Sequence, residues 1–276
     1  MNQTTLSSDD LAALRAAVRI LENPGFTARI AIMVGKPVSA ISNALPTSAS
    51  HAVALAAEKG LRLAVTAALT TLRRSPGRPS RGPSPYLHKA AAVASGAVGG
   101  ALGLATLPLE LPVSTVIMLR SIADIAASEG EDLSEPEAAL SCIHVFALGA
   151  PGTEGASDNG YFAVRSMLAK TMAEAARFVA ERSIVEEGAP VLIRFITHVA
   201  SRFGVVVTQK VAAQALPVVG ALGGAVVNYA FMEHFQSMAR GHFTVRRLER
   251  SYGHEVVRAE YNRLAGVRGD PGVVQV

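Results

Sequence analysis

Ionisable side chains stand inside otherwise apolar stretches of this sequence. Glu110 lies between two prolines in LPLELP, and Arg120 and Asp124 are four residues apart in LRSIAD. A spacing of four puts two side chains on one face of a helix, where they can pair. Such groups form either a buried ion pair that fixes helix register or a polar site inside an apolar pocket. The sequence leaves both interpretations open.

A second set of polar residues begins at Asn228. His234 and His242 are eight residues apart, so a helix that runs unbroken through Gly241 presents both on one face, about 12 Å apart. That separation is too large for one metal ion, so we expect no metal centre and no cofactor, and we interpret the histidines as helix-packing or pH-sensitive interface groups. The candidate polar site therefore comprises Glu110, Arg120, Asp124, Asn228, Glu233, His234 and His242.

Known catalytic motifs are missing from the chain. It has no phosphate-binding GxxxxGK[ST] loop, no HExxH pair and no GxSxG nucleophile turn. Cys142 is the single cysteine, which excludes an intrachain disulfide and fits a reducing compartment. The sequence leaves enzymatic activity uncertain, favours a protein that is not an enzyme, and leaves any catalytic residues unknown.

Positive charge is concentrated in one part of the chain. The total is only +4, too small to indicate nucleic-acid binding, but seven lysines and arginines and no acidic residue lie between Glu58 and Glu110. A basic stretch of this kind is attracted to anionic membrane surfaces. The candidate contacts to such a surface are Arg73, Arg74, Arg78 and Arg81 in this stretch, with Arg246 and Arg247 near the end of the chain.

The elements that must position these residues are helices. Half of the 276 residues are hydrophobic and only 5% are aromatic, apolar residues recur at helical spacing, and no run alternates as strands do. We therefore expect an all-α protein. The prolines of RRSPGRPSRGPSP exclude a helix there. We predict a helical segment over 1–72, a Pro/Arg-rich linker over 73–86, a main helical domain over 87–265 and a flexible tail over 266–276.

Two uncharged, glycine-rich stretches, 90–109 and 211–232, are long enough to cross a membrane. Each has glycines four apart, which lets helices approach closely. We expect them to form two apolar helical hairpins at the centre of the fold. The sequence does not decide what these stretches form. They are compatible with the core of a soluble protein, with helices inserted in a membrane and with an oligomeric pore.

The chain resembles the EcsC family of bacterial proteins from about Asn23 to Gly253. The resemblance lies in the blocks GAVGGALGLATLPLELPVSTVIMLRSIADIA, GEDL, VFALG and LPVVGALGGAVVNYAFMEHFQSMARGHFTVRRLER. It implies a helical, membrane-associated accessory protein linked to ABC transport or secretion, and it supplies no catalytic residues.

These observations predict a non-enzymatic accessory or interaction protein at the cytoplasmic membrane, held peripherally or integrally. Its expected partners are an anionic membrane surface and a membrane protein or transporter, with no nucleic acid; the oligomeric state stays open. The alternative is a soluble ligand-binding or hydrolase-like protein whose polar site lies in an apolar helical pocket.

Overall fold

The computed structural model describes residues 5–22, 25–26, 30–32, 47–71, 107–150, 160–181, 189–214 and 220–266. Across these residues the chain forms α-helices and no strand, which confirms the all-α prediction. Eight helices have both ends within the described residues: α1 (Ser8–Leu21), α2 (Thr47–Thr71), α3 (Leu107–Ser128), α4 (Pro136–Leu148), α5 (Tyr161–Glu181), α6 (Pro190–Gln214), α7 (Gly220–Tyr252) and α8 (His254–Ala265).

Local sequence signals set several helix ends. The Ser7 hydroxyl accepts a hydrogen bond from the Asp10 backbone N–H and caps α1. Pro136 opens α4 at a position where its missing N–H costs nothing. Gly130 has φ +81° in the turn after α3, and Gly266 has φ +73° after α8, so both turns need glycine.

Helices α4 and α7 form the centre of the fold. Every residue of α4 from Ala138 to Leu148 is buried, and α4 packs against α2, α3, α5, α6 and α7. The 33-residue α7 also contacts α1, α3, α6 and α8. It continues through Gly241, where an added Cβ would lie 2.9 Å from Cγ of Leu21 in α1.

Helix α2 lies between α3 and α6 and packs closely on both. Gly60 permits the approach to α3, because an added Cβ would lie 3.1 Å from the Thr115 hydroxyl oxygen and 3.5 Å from Cα of Pro112. Helix α2 therefore bridges α3 and α6.

The two predicted glycine-rich hairpins fall largely outside the described residues. Residues 90–106 and 215–219 are not described, and neither are the side chains of 107–109 and 220–224. What is described of the second stretch is the last turn of α6 and the first half of α7. The hairpins and the domain bounds stay predictions.

Candidate functional site

A buried ion pair joins the start of α3 to α6. The Lys210 ammonium donates to Oε1 of Glu110 at 2.9 Å, and the two side chains are 0% and 7% exposed. The Asn228 side-chain amide, from α7, donates to the same carboxylate oxygen at 3.2 Å. Three helices thus meet at one carboxylate, and the predicted residues Glu110 and Asn228 do lie together.

Lys210 is a functional candidate that the sequence analysis missed. Its ammonium lies 5.0 Å from the centre of the Phe231 ring, a cation–π distance. Burial lowers the pKa of Lys210, and the neighbouring Glu110 carboxylate opposes that shift. A lone lysine in TQKVAAQ resembles a solvent-exposed residue, and only the apolar residues on both sides of it hinted at burial.

A second polar network surrounds His242. Tyr161 and His242 share a hydrogen bond of 2.8 Å between Oη and Nδ1. The Arg165 guanidinium donates to Tyr161 Oη at 3.2 Å and, through two nitrogens, to the Glu249 carboxylate at 2.8 and 2.7 Å. His254, near the surface, shares a hydrogen bond with the same carboxylate at 2.8 Å. The network links α5, α7 and α8 and fixes the His242 ring.

His144 of α4 lies against this network. Its ring meets the His242 ring edge to face, with centroids 5.5 Å apart. Burial lowers the pKa of His144 to about 3, helped by the positive charges of Arg165, Arg246 and Arg202. Burial also lowers the pKa of His242 well below its ordinary value. Both rings are therefore neutral at pH 7.

His234 has a different environment from His242 although both face α4. Its Nε2 lies 2.8 Å from the carbonyl oxygen of Gly149, at the C-terminal end of α4. The Arg202 guanidinium donates to two further carbonyls there, those of Ala147 at 2.8 Å and Ala150 at 3.2 Å. These side chains satisfy the last carbonyls of a buried helix, so His234 serves helix packing.

The remaining predicted site residues lie on α3 and α7. Arg120 is exposed and Asp124 is half-buried on α3. Glu233 accepts a hydrogen bond from Arg240 at 2.8 Å in a partly exposed pair. The predicted polar site is therefore divided among several places, and within the described residues no three His, Cys, Asp or Glu side chains are grouped to hold a metal ion.

Arg246 and Arg247 bind carboxylates of this chain. Arg246 donates to Glu131 at 2.9 and 3.1 Å in a largely buried pair. Arg247 donates to Glu129 at 2.9 Å and to Asp10 at 3.0 Å, which ties α7 to α1. The other predicted surface contacts, Arg73, Arg74, Arg78 and Arg81, lie outside the described residues.

The exposed side of α2 combines large apolar and basic residues. Leu55 and Leu63 are 56% and 47% exposed, and Lys59 and Arg62 between them are exposed as well. Arg62 pairs with Glu58 at 2.6 Å. We call Leu55, Lys59, Arg62 and Leu63 the α2 face.

Exposed valines of the neighbouring helices extend the α2 face on both sides. Val113 of α3 follows Pro112, whose backbone lies against Gly60. Val205 of α6 lines a groove of about 410 Å³ between α6 and Ala54 of α2. Each of the two helices that pack against α2 thus exposes a large apolar side chain.

Among the described residues, two helices have the length and hydropathy to cross a membrane. They are Glu110–Ser128, with 56% of its apolar 18-residue window buried within the protein, and Pro190–Gln214, with 44% of such a window buried. Core helices of soluble proteins meet the same criteria, so this is weak evidence for membrane association.

The described residues define the class of this protein as all-helical, with polar clusters buried between the helices. The model of the EcsC protein family matches residues 82–248, and the chain belongs to that family. No curated protein and no solved structure matches the chain significantly.

Proposed function

We propose that this EcsC-family chain is a non-enzymatic accessory protein that binds the anionic, cytoplasmic surface of a membrane through the α2 face. The observation that carries the proposal is the exposure of Leu55 and Leu63 beside Lys59 and Arg62. Exposed leucines flanked by Lys and Arg side chains are typical of helices that lie at a membrane surface. The apolar groups enter the headgroup region while the cations contact anionic lipid.

Charge and shape around the α2 face support the same function. Acidic residues are absent from the sequence between Glu58 and Glu110, so the chain that leaves α2 adds only positive charge. Val113 and Val205 widen the apolar surface. A link to ABC transport or secretion rests on the family resemblance alone, and the partner there would be a membrane protein.

The buried Glu110–Lys210 pair fits a structural role in this account. It fixes the register of α3 against α6 behind the α2 face. The alternative of a ligand-binding or hydrolase-like site required the predicted polar residues to converge, and they are divided among separate clusters.

The test is flotation of the purified protein with vesicles of neutral lipid alone or with added phosphatidylserine. We expect recovery with the anionic vesicles to exceed recovery with the neutral ones. The double variant L55E/L63E should lower that recovery by about tenfold or more, because burial of one leucine contributes about 1.5–3 kcal/mol.

Met167→Glu is the control for a newly introduced carboxylate, since Met167 on α5 is 55% exposed, like Leu55, but lies on a helix other than α2, α3 and α6. It should float as the unchanged protein does. Equal recovery with both kinds of vesicle would refute the electrostatic contribution. Equal loss in M167E and L55E/L63E would refute the assignment to the α2 face.

A further inference from the structure

Three buried side chains near the middle of α4 carry polar atoms with no hydrogen-bond partner among the described residues. They are both ring nitrogens of His144, Oγ of Ser141 and Nε2 of His242. Ser141 is fully buried, and each histidine is 1% exposed. Ser141 precedes His144 by three residues, so both side chains lie on one face of α4. Buried polar groups in folded proteins almost always have a protein or water partner.

The hydrogen bonds around Tyr161 assign the tautomer of His242. The hydroxyl oxygen of Tyr161 accepts a hydrogen bond from Arg165 at 3.2 Å, and burial raises the pKa of Tyr161, which keeps the phenol protonated. The phenol therefore donates its own proton to Nδ1 of His242 at 2.8 Å. In a neutral ring the other proton is then on Nε2, so this atom is a buried donor that needs an acceptor.

His144 and Ser141 supply complementary groups. A neutral imidazole offers one N–H donor and one acceptor nitrogen, and a hydroxyl offers both functions. Arg165, Arg202 and Arg246 all act electrostatically on His144. Their positive charge disfavours a metal cation beside the histidines. A ligand that both donates and accepts hydrogen bonds, as water does, matches the donor and acceptor groups present.

We propose that His144, His242 and Ser141 enclose a binding site for one internal water molecule. The water accepts from Nε2–H of His242 and donates to the acceptor nitrogen of His144, and Ser141 supplies a third bond. Buried waters make about three such bonds to otherwise unsatisfied groups. The site lies where α4 meets α7, so it is independent of the proposed membrane contact at the α2 face.

The direct experiment is a high-resolution crystal structure of the unchanged protein. We expect electron density for one water oxygen within hydrogen-bond distance of a His144 ring nitrogen and of Nε2 of His242. Absence of that density, or density for a heavier ion, would overturn the proposal. This measurement does not depend on whether any variant folds.

Oxygen-17 relaxation of the solvent supplies a second measurement, because it counts water molecules that stay inside a protein. The variant His144→Phe removes both ring nitrogens and should reduce the count by one relative to the unchanged protein, with a lower Tm. An unchanged count would mean that no water molecule depends on the His144 ring, and would overturn the proposal whatever the Tm of the variant.

Discussion

Lys210 and Glu110 are paired at 2.9 Å across 100 residues of sequence, and the lysine side chain has no exposed surface. The pair holds the start of α3 against α6, and Asn228 of α7 adds a bond to the same carboxylate. A buried ion pair contributes little more to the free energy of unfolding than an apolar pair of the same size would. Removal of one partner nevertheless destabilises the protein, because it leaves the other charge buried and uncompensated.

Lys210→Met should therefore destabilise the protein by about 3–5 kcal/mol, measured as the free energy of unfolding in urea. The double variant K210M/E110Q should recover a large part of that loss, because it removes both charges and keeps the amide of residue 110 in reach of Asn228. A double variant as unstable as K210M would show that the cost comes from packing rather than from an unpaired carboxylate.

Gly149→Ala should destabilise the end of α4. The added Cβ would lie 2.6 Å from Cε1 of Phe235 and 2.8 Å from Nε2 of His234, and overpacking of a core costs about 1–3 kcal/mol. The control is Gly204→Ala within α6, where the new methyl meets nothing within 4 Å. Since alanine is favoured over glycine inside a helix by about 1 kcal/mol, G204A should raise the Tm while G149A lowers it.

The buried histidines predict a loss of stability in mild acid. An unfolded histidine binds a proton near pH 6.5, whereas His144 in the folded protein does so only near pH 3. The unfolded state therefore binds more protons below pH 6.5, and the free energy of unfolding falls as the pH decreases through this window.

Each histidine contributes up to about 1.4 kcal/mol per pH unit to that slope. Urea unfolding between pH 6.5 and 4.5 should show a shallower slope in H144F than in the unchanged protein. The lowered pKa values of Asp10 and Glu131 affect both proteins alike, so the difference isolates His144. Identical slopes would contradict the burial of a neutral His144.

The sequence was sufficient to predict the helices of this fold. The sequence Pro136–Leu148 predicts a helix with the bounds that the structure shows, because Pro136 marks its start and Gly149 its end. Residues 233–264 predict a pair of charged helices, and they lie in α7 and α8, with the break at Gly253. Helix α7 begins earlier, at Gly220, because the apolar stretch before Glu233 continues the same helix.

The site was less predictable, because its contacts join distant residues. The four-residue spacing of Arg120 and Asp124 is a local signal. It predicts that the two residues share one face of a helix, but it does not show which of them is buried. The partner of Glu110 is 100 residues away, and the Tyr161–His242 hydrogen bond spans 81 residues. Such pairs follow from helix packing, which residue spacing within one segment does not determine.

The most direct test of the proposed membrane association is fractionation of the native protein, with membranes washed first in high salt and then in alkaline carbonate. We predict that the protein sediments with membranes and is released by salt, because screening weakens the contact of basic side chains with anionic lipid. Recovery entirely in the soluble fraction would contradict membrane association, and resistance to carbonate would contradict a peripheral contact through the α2 face.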